Sequence, residues 1–102
     1  MAIDVRLQDE RGSTLEKVPY PWGVPERWMP SDDDRSFTLL HEVDPYGDTV
    51  LSQQQMPGFL AEWRRLTPNA QTADERQFLE RVEALAERCL KEPGLFLKFE
   101  GD

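Results

Sequence analysis

The sequence has one cysteine, Cys89, and one histidine, His41, among its 102 residues. One thiol cannot form an intramolecular disulfide. One cysteine and one histidine are also too few ligands for the Cys/His clusters of structural zinc sites. Glycine-rich phosphate loops and nucleophile motifs are also missing, so we expect no cofactor and no bound metal. The scarcity of cysteine is typical of a reducing compartment and predicts a cytoplasmic location.

Basic residues and long apolar runs are scarce as well. Twelve Lys and Arg stand against 20 Asp and Glu, giving a net charge of -8. This balance disfavours nucleic acid and anionic membranes as partners and favours a cationic protein. No apolar run reaches the roughly 18 residues of a membrane span, and the first ten residues do not resemble a signal peptide.

A chain of this length supports one hydrophobic core, so residues 1–102 are predicted to form a single domain. Strict alternation predicts strands over 2–7, 37–43 and 95–99, and a return strand over 14–18 would complete a hairpin with the first. In the 37–43 strand, His41 would lie on the more apolar face. Leu40 and Phe96 would project to an uncovered face of the sheet.

Two helices follow a short strand near residue 50. The Ser52 and Gln55 spacing is typical of a capping box and precedes an apolar stripe at helical intervals, with members Met56, Phe59, Leu60, Trp63 and Leu66. Thr72 and Glu75 open a longer stripe that includes Cys89. Helices that are adjacent in sequence predict an α+β fold, with an antiparallel or mixed sheet of four to five strands and a helical hairpin on one face.

The connector at 18–36 is rich in proline and aromatic residues and ends in an acidic run. Its rings either seal one end of the core or form an exposed docking patch, and sealing is the favoured alternative. The carboxylates lack the spacing of a calcium loop and favour a solvated loop. The candidate partner-binding residues of the connector are Tyr20, Trp22, Trp28, Asp32, Asp33 and Asp34.

His41, Asp44 and Asp48 are the only candidates for catalysis or metal binding. Asp44, Pro45 and Gly47 are typical of a type I turn, which would bring both aspartates near His41. The favoured interpretation is structural: His41 forms a local hydrogen bond at the margin of the core, and Asp44 bonds the backbone of its own turn. The alternative is a general base or metal ligand.

The segment DPYGDTV, together with the closing ERVEALAERCLKEPGLFLKFEGD, resembles a family of small, functionally uncharacterised bacterial proteins. This resemblance covers the whole chain and implies one domain, but it implies no activity. Small acidic α+β proteins are also common among immunity proteins and antitoxins, which is an analogy of class.

Three functions are open at this point. The leading hypothesis is a non-catalytic acidic binding or regulatory protein, such as an immunity-like or antitoxin-like inhibitor of a basic partner, because few polar groups are available to build an active site. The second is a small metal-dependent or acid-base enzyme, or a metal-binding regulator, that uses His41, Asp44 and Asp48. The third is a structural homodimer joined through Trp22, Trp28 and the uncovered face of the sheet.

Overall fold

A computed structural model of the protein describes residues 3–21, 23–24, 28–30, 33–44 and 46–101. In this part of the chain, four strands and three α-helices form an α+β fold, as the sequence predicts. The elements are β1 (Asp4–Gln8), β2 (Thr14–Val18), α1 (Leu39–Glu42), β3 (Asp48–Leu51), α2 (Met56–Arg64), α3 (Ala73–Lys91) and β4 (Phe96–Glu100). Single 3₁₀ turns at Gln53–Gln55 and Thr67–Asn69 precede α2 and α3.

The sheet is antiparallel throughout and has the strand order β2-β1-β4-β3. Ile3, Val5 and Leu7 are buried, which confirms the alternation predicted for the first strand. β1 and β2 form the predicted hairpin, with a register shift between Leu7 and Gln8. β2 and β3 are therefore the two edge strands of this sheet.

Helices α2 and α3 pack on one face of the sheet. The ring of Phe59 on α2 lies 5.6 Å from that of Phe99 on β4, and α3 contacts β1, β2 and β4. Thr72 accepts the backbone N–H of Glu75 at 3.2 Å and caps α3, as its spacing predicts. Gln55 accepts the N–H of Ser52 at 2.8 Å, so the first capping box is also present.

The strand predicted at 37–43 is wrong, because residues 39–42 form the short helix α1. Phe37, Leu40 and Val43 are buried, and their spacing of three residues is helical. His41 is therefore exposed on α1 and does not lie on an apolar strand face. Leu40 packs into the core instead of projecting from the uncovered face of the sheet.

Candidate functional site

The three residues considered for catalysis do not form a group that could hold a metal ion. Asp44 accepts the N–H of Tyr46 at 2.9 Å, and Asp48 lies 3.5 Å from Lys98 on the neighbouring strand. His41 contributes to the electrostatic surroundings of a different carboxylate, Asp34. Within the described ranges, no three His, Cys, Asp or Glu side chains form a group that could hold a metal ion.

The turn before β3 is called the Tyr46 turn and covers residues 44–47, and four hydrogen bonds among the described residues hold it. Pro45 lies outside the described residues, but Gly47 donates to the carbonyl of Asp44 at 3.4 Å, as the predicted turn requires. Thr49 accepts the N–H of Asp44 at 2.9 Å, and Gly101 donates to the carbonyl of Gly47 at 2.8 Å. With the bond from Tyr46 to the carboxylate of Asp44, these contacts fix both ends of the turn.

Tyr46 projects from this turn into solvent and is 76% exposed, against 52% for Val50 and 44% for Leu15. Its neighbours Asp44 and Asp48 are also exposed. Large aromatic rings usually lose contact with water on folding, so an exposed tyrosine on a hydrogen-bonded turn between two aspartates is a conspicuous surface feature of this edge of the sheet. Sequence reasoning missed Tyr46, although its place between proline and glycine at a turn tip was a usable signal.

Two of the connector aromatics are in the core. Trp28 is 1% exposed and Tyr20 is 8% exposed. The indole N–H of Trp28 donates to the hydroxyl of Tyr20 at 3.0 Å, and the ring of Trp28 lies 5.4 Å from that of Trp63. These positions match the sealing alternative and leave neither ring available to a partner in this structure. Trp22 lies outside the described residues.

The acidic run of the connector ends in a hydrogen-bonded carboxylate, that of Asp34. Asp33 is exposed, whereas Asp34 is half-buried and accepts both the N–H and the hydroxyl of Ser36. These bonds from Ser36, and the charges of Arg65 and His41, lower the pKa of the Asp34 carboxyl. Asp32, the remaining aspartate proposed for partner binding, lies outside the described residues.

Arg65, the residue that follows α2, connects the end of this acidic run to that helix. It donates to the carbonyl and the hydroxyl of Ser36, and its guanidinium lies 4.1 Å from the ring centre of Phe37. An arginine over an aromatic face is stabilising, and the contact holds Phe37 at the entrance to α1. The acidic run is thus anchored on its C-terminal side.

A carboxylate that the sequence did not single out positions α1. Glu62, on α2, is 8% exposed and accepts the backbone N–H groups of Leu39 and Leu40 at 3.1 and 3.2 Å. It also accepts the hydroxyl of Thr38 at 3.1 Å. The first backbone donors of a helix have no partner within the helix, so this distant carboxylate does the work of a cap.

The face of the sheet opposite the helices carries two rows of opposite charge. Its cations are Arg6, Lys17 and Lys98, and its anions are Asp4, Asp48 and Glu100. Lys17 lies 3.7 Å from Asp4, Lys98 lies 3.5 Å from Asp48, and Arg6 bonds Glu100. Cross-strand pairs of this kind neutralise one another, so this face does not carry the net negative charge of the chain.

Comparison with known proteins gives no match: no family model fits the sequence, and no curated protein or solved structure is significantly similar to it. The resemblance proposed for DPYGDTV and the closing segment thus rests on those residues alone. In the described part of the chain, no helix is long and apolar enough to cross a membrane.

Proposed function

We propose that this protein is a non-catalytic binding protein that recognises a cationic protein partner through residues 33–48. The segment has five carboxylates and one arginine, together with His41. The observation that carries the proposal is Tyr46, whose ring is 76% exposed on a hydrogen-bonded turn, with Asp44 and Asp48 two residues away on either side. Tyrosine is among the residues that dominate binding energies in protein interfaces, and the surrounding charge would attract a basic surface.

The order of the Tyr46 turn supports this role. Association costs free energy wherever loops and side chains must be ordered, and a turn already held by its own hydrogen bonds avoids much of that cost. Asp44 is fixed by the N–H of Tyr46 and Asp48 lies beside Lys98, yet both carboxylates remain exposed. Their charges would therefore meet a partner in a defined geometry.

The alternatives receive less support. An enzyme using His41, Asp44 and Asp48 would need these groups to converge on one reacting atom, and each carboxylate has a separate structural partner. A homodimer joined through Trp28 would need a buried ring to leave the core. An immunity-like or antitoxin-like inhibitor is a special case of the binding protein proposed here.

Photo-crosslinking tests the proposal. A benzophenone amino acid is placed at Tyr46 and, as a matched control, at Leu15, which is also exposed but lies on the opposite edge strand. After irradiation in cells of the source organism, we expect an adduct with a basic protein from position 46 and none of that mass from position 15. Adding salt should reduce the yield, because charges exposed to solvent are screened over about 10 Å at 0.1 M.

Neutralisation of the segment provides the second part of the test. Asp33→Asn, Asp34→Asn and Asp44→Asn together should slow association with the captured protein and leave the fold intact. Equal adducts from positions 46 and 15, or capture that is indifferent to salt and to these substitutions, would overturn the proposal.

A further inference from the structure

The outer edge of β2 lies beside a groove on the far side of the sheet from the Tyr46 turn. Four of the five β2 residues, Thr14 to Lys17, are exposed, and β2 pairs only with β1 among the described strands. α3 runs along the same side of the molecule and contacts β2. Between them is an open groove of about 260 Å³, lined by Glu16, Lys17, Val18, Arg81, Ala84 and Leu85.

This groove combines two binding features. An edge strand has backbone N–H and C=O groups that point away from the sheet and can pair with another extended chain. Val18 and Leu85, each 4% exposed, and the exposed Ala84 give the groove an apolar floor against which side chains of such a chain could pack. The register shift opposite Gln8 is confined to the hairpin end, and pairing with β1 is regular from Glu16 to Val18.

The charge of the groove indicates what kind of chain would fit. Glu16 lies 3.6 Å from Arg88, and Lys17 lies 3.7 Å from Asp4, so both are already compensated. Arg81 is exposed and forms no hydrogen bond or ion pair with any described residue. The groove therefore has one uncompensated cation in a chain whose net charge is -8.

A second copy of this chain fits the groove poorly. If β2 paired antiparallel with itself over its five residues, the central Glu16 would face Glu16 of the other copy. Like charges directly opposite each other destabilise a strand pair. An acidic segment of another protein avoids this conflict if it places a carboxylate opposite Val18, which lines the groove together with Arg81, and a neutral residue opposite Glu16.

We propose that the groove between β2 and α3 binds an extended acidic segment of a partner protein, which adds to the sheet as a strand beside β2. This site goes beyond the proposed function, because β2 and the Tyr46 turn lie at opposite edges of the sheet. Main-chain hydrogen bonds to β2 supply the affinity, and a carboxylate against Arg81 supplies the preference for an acidic segment.

The experiment uses a blocked threonine-rich peptide with one central glutamate, and the same peptide with lysine in place of glutamate for comparison. Binding is followed by NMR chemical shifts and amide hydrogen exchange of the full chain. We expect the acidic peptide to shift the signals of β2 and of α3 near Arg81, and to slow exchange of the outward amides of β2. Arg81→Glu should weaken binding about tenfold, which is the size expected for loss of one charge-assisted contact.

Arg76→Glu is the matched control, because Arg76 is an exposed arginine of α3 outside the groove. It should change the affinity less than about twofold, since it alters net charge equally but makes no contact. N-methylation of alternate peptide residues separates backbone pairing from charge attraction. Methyl groups in one phase should abolish binding, whereas methyl groups in the other phase should leave it unchanged.

Several results would overturn the inference. The lysine peptide could bind as tightly as the acidic peptide, or Arg81→Glu and Arg76→Glu could weaken binding equally. The two methylation phases could also have equal effects on binding. Finally, millimolar peptide could shift only the signals of the Tyr46 turn, or shift none. A negative result here would leave the crosslinking test at Tyr46 unaffected, since the two sites share no residue.

Discussion

The carboxylate of Glu62 accepts the backbone N–H of Leu39 at 3.1 Å, across 23 positions of sequence. This hydrogen bond caps α1 from a neighbouring helix. It also gives the buried carboxylate of Glu62 a hydrogen-bond donor, without which burial of the charge would cost free energy. It explains why residues 39–42 are helical although Thr38, the residue before the helix, makes no side-chain cap of its own.

Glu62→Ala should lower the free energy of unfolding by about 2 kcal/mol, because the substitution leaves buried backbone donors without an acceptor. Glu62→Gln keeps one acceptor oxygen and should cost less. Urea denaturation measures both changes, and hydrogen exchange should show faster exchange of the Leu39 and Leu40 amides. Glu80→Ala, at an exposed position of α3, is the control and should stay within about 0.5 kcal/mol of wild type. Equal stability of the Glu62→Ala and Glu80→Ala variants would refute the capping role.

Sequence patterns were sufficient where local signals agree with the fold. The alternation at Ile3, Val5 and Leu7 and the helical spacing of the stripe that includes Cys89 each fit only one kind of element, and these four side chains are buried. Leu90, the last member of that stripe, is 36% exposed. Residues 37–43 are different, because Phe37, Leu39, Leu40 and Val43 satisfy either a strand or a helix. A contact with Glu62, remote in sequence, decides between them, and no local pattern contains that information.

The candidate site was harder to predict than the fold. Apolar content placed Tyr20 and Trp28 among candidates for both core and surface, and only their packing separates the two roles. Tyr46 was passed over because a turn residue needs no packing partner, so periodicity gives no signal there. Asp48 was grouped with His41 because a turn at Asp44 was expected to bring it near the end of a strand over 37–43. That segment is helical at 39–42, and Asp48 lies beside Lys98 instead.

Tyr20 provides a test of the sealed connector. Tyr20→Phe removes the hydroxyl that accepts the Trp28 indole N–H at 3.0 Å, so it should destabilise the protein by about 1–3 kcal/mol in urea denaturation. Tyr46→Phe is the control, because its hydroxyl is on a largely exposed ring. If the two variants proved equally stable, Trp28 would have to find its partner elsewhere and the connector would be less ordered than described.

Cys89 should react with a thiol reagent only when the protein unfolds. It is fully buried on α3, its thiol donates to the carbonyl of Leu95 at 3.4 Å, and desolvation raises its pKa to about 11. Labelling with a colourimetric disulfide reagent should therefore be slow in buffer and fast in urea. Rapid native labelling would show that the face of α3 opens.

The raised pKa of Cys89 predicts that the protein loses stability in alkali. Its pKa rises from the ordinary 9.0 to about 11 on folding, so the thiol of the unfolded chain ionises first. A raised folded pKa contributes stability that is complete below pH 9 and is lost as pH rises toward 11. The difference in unfolding free energy between wild type and Cys89→Ala should therefore fall across this range. A constant difference would contradict the shift.

Removal of metal should leave the fold unchanged. The apolar faces of α2, α3 and the sheet supply the core, and no described group of His, Cys, Asp and Glu could hold a metal ion. Thermal melts with and without a strong chelator should coincide. A midpoint that falls by several degrees with chelator would contradict this prediction and return the metal hypothesis to consideration.

The pKa of Asp34 can be used to measure how strongly His41 acts on this carboxylate. Hydrogen bonds from Ser36 are the main cause that lowers the pKa of Asp34 below 3.8, and the charges of Arg65 and His41 are smaller contributions. Ser36→Ala should therefore raise this pKa more than His41→Gln does, as measured by carboxyl carbon NMR. Because the folded pKa is depressed, Asp34 contributes stability above its unfolded pKa, and this is lost as pH falls through the folded value. Asp34→Asn should accordingly reduce the dependence of stability on pH below about pH 4. If His41→Gln had the larger effect, the histidine would control this carboxylate, and the pair would become a candidate for acid-base chemistry that Asp44 and Asp48 do not support.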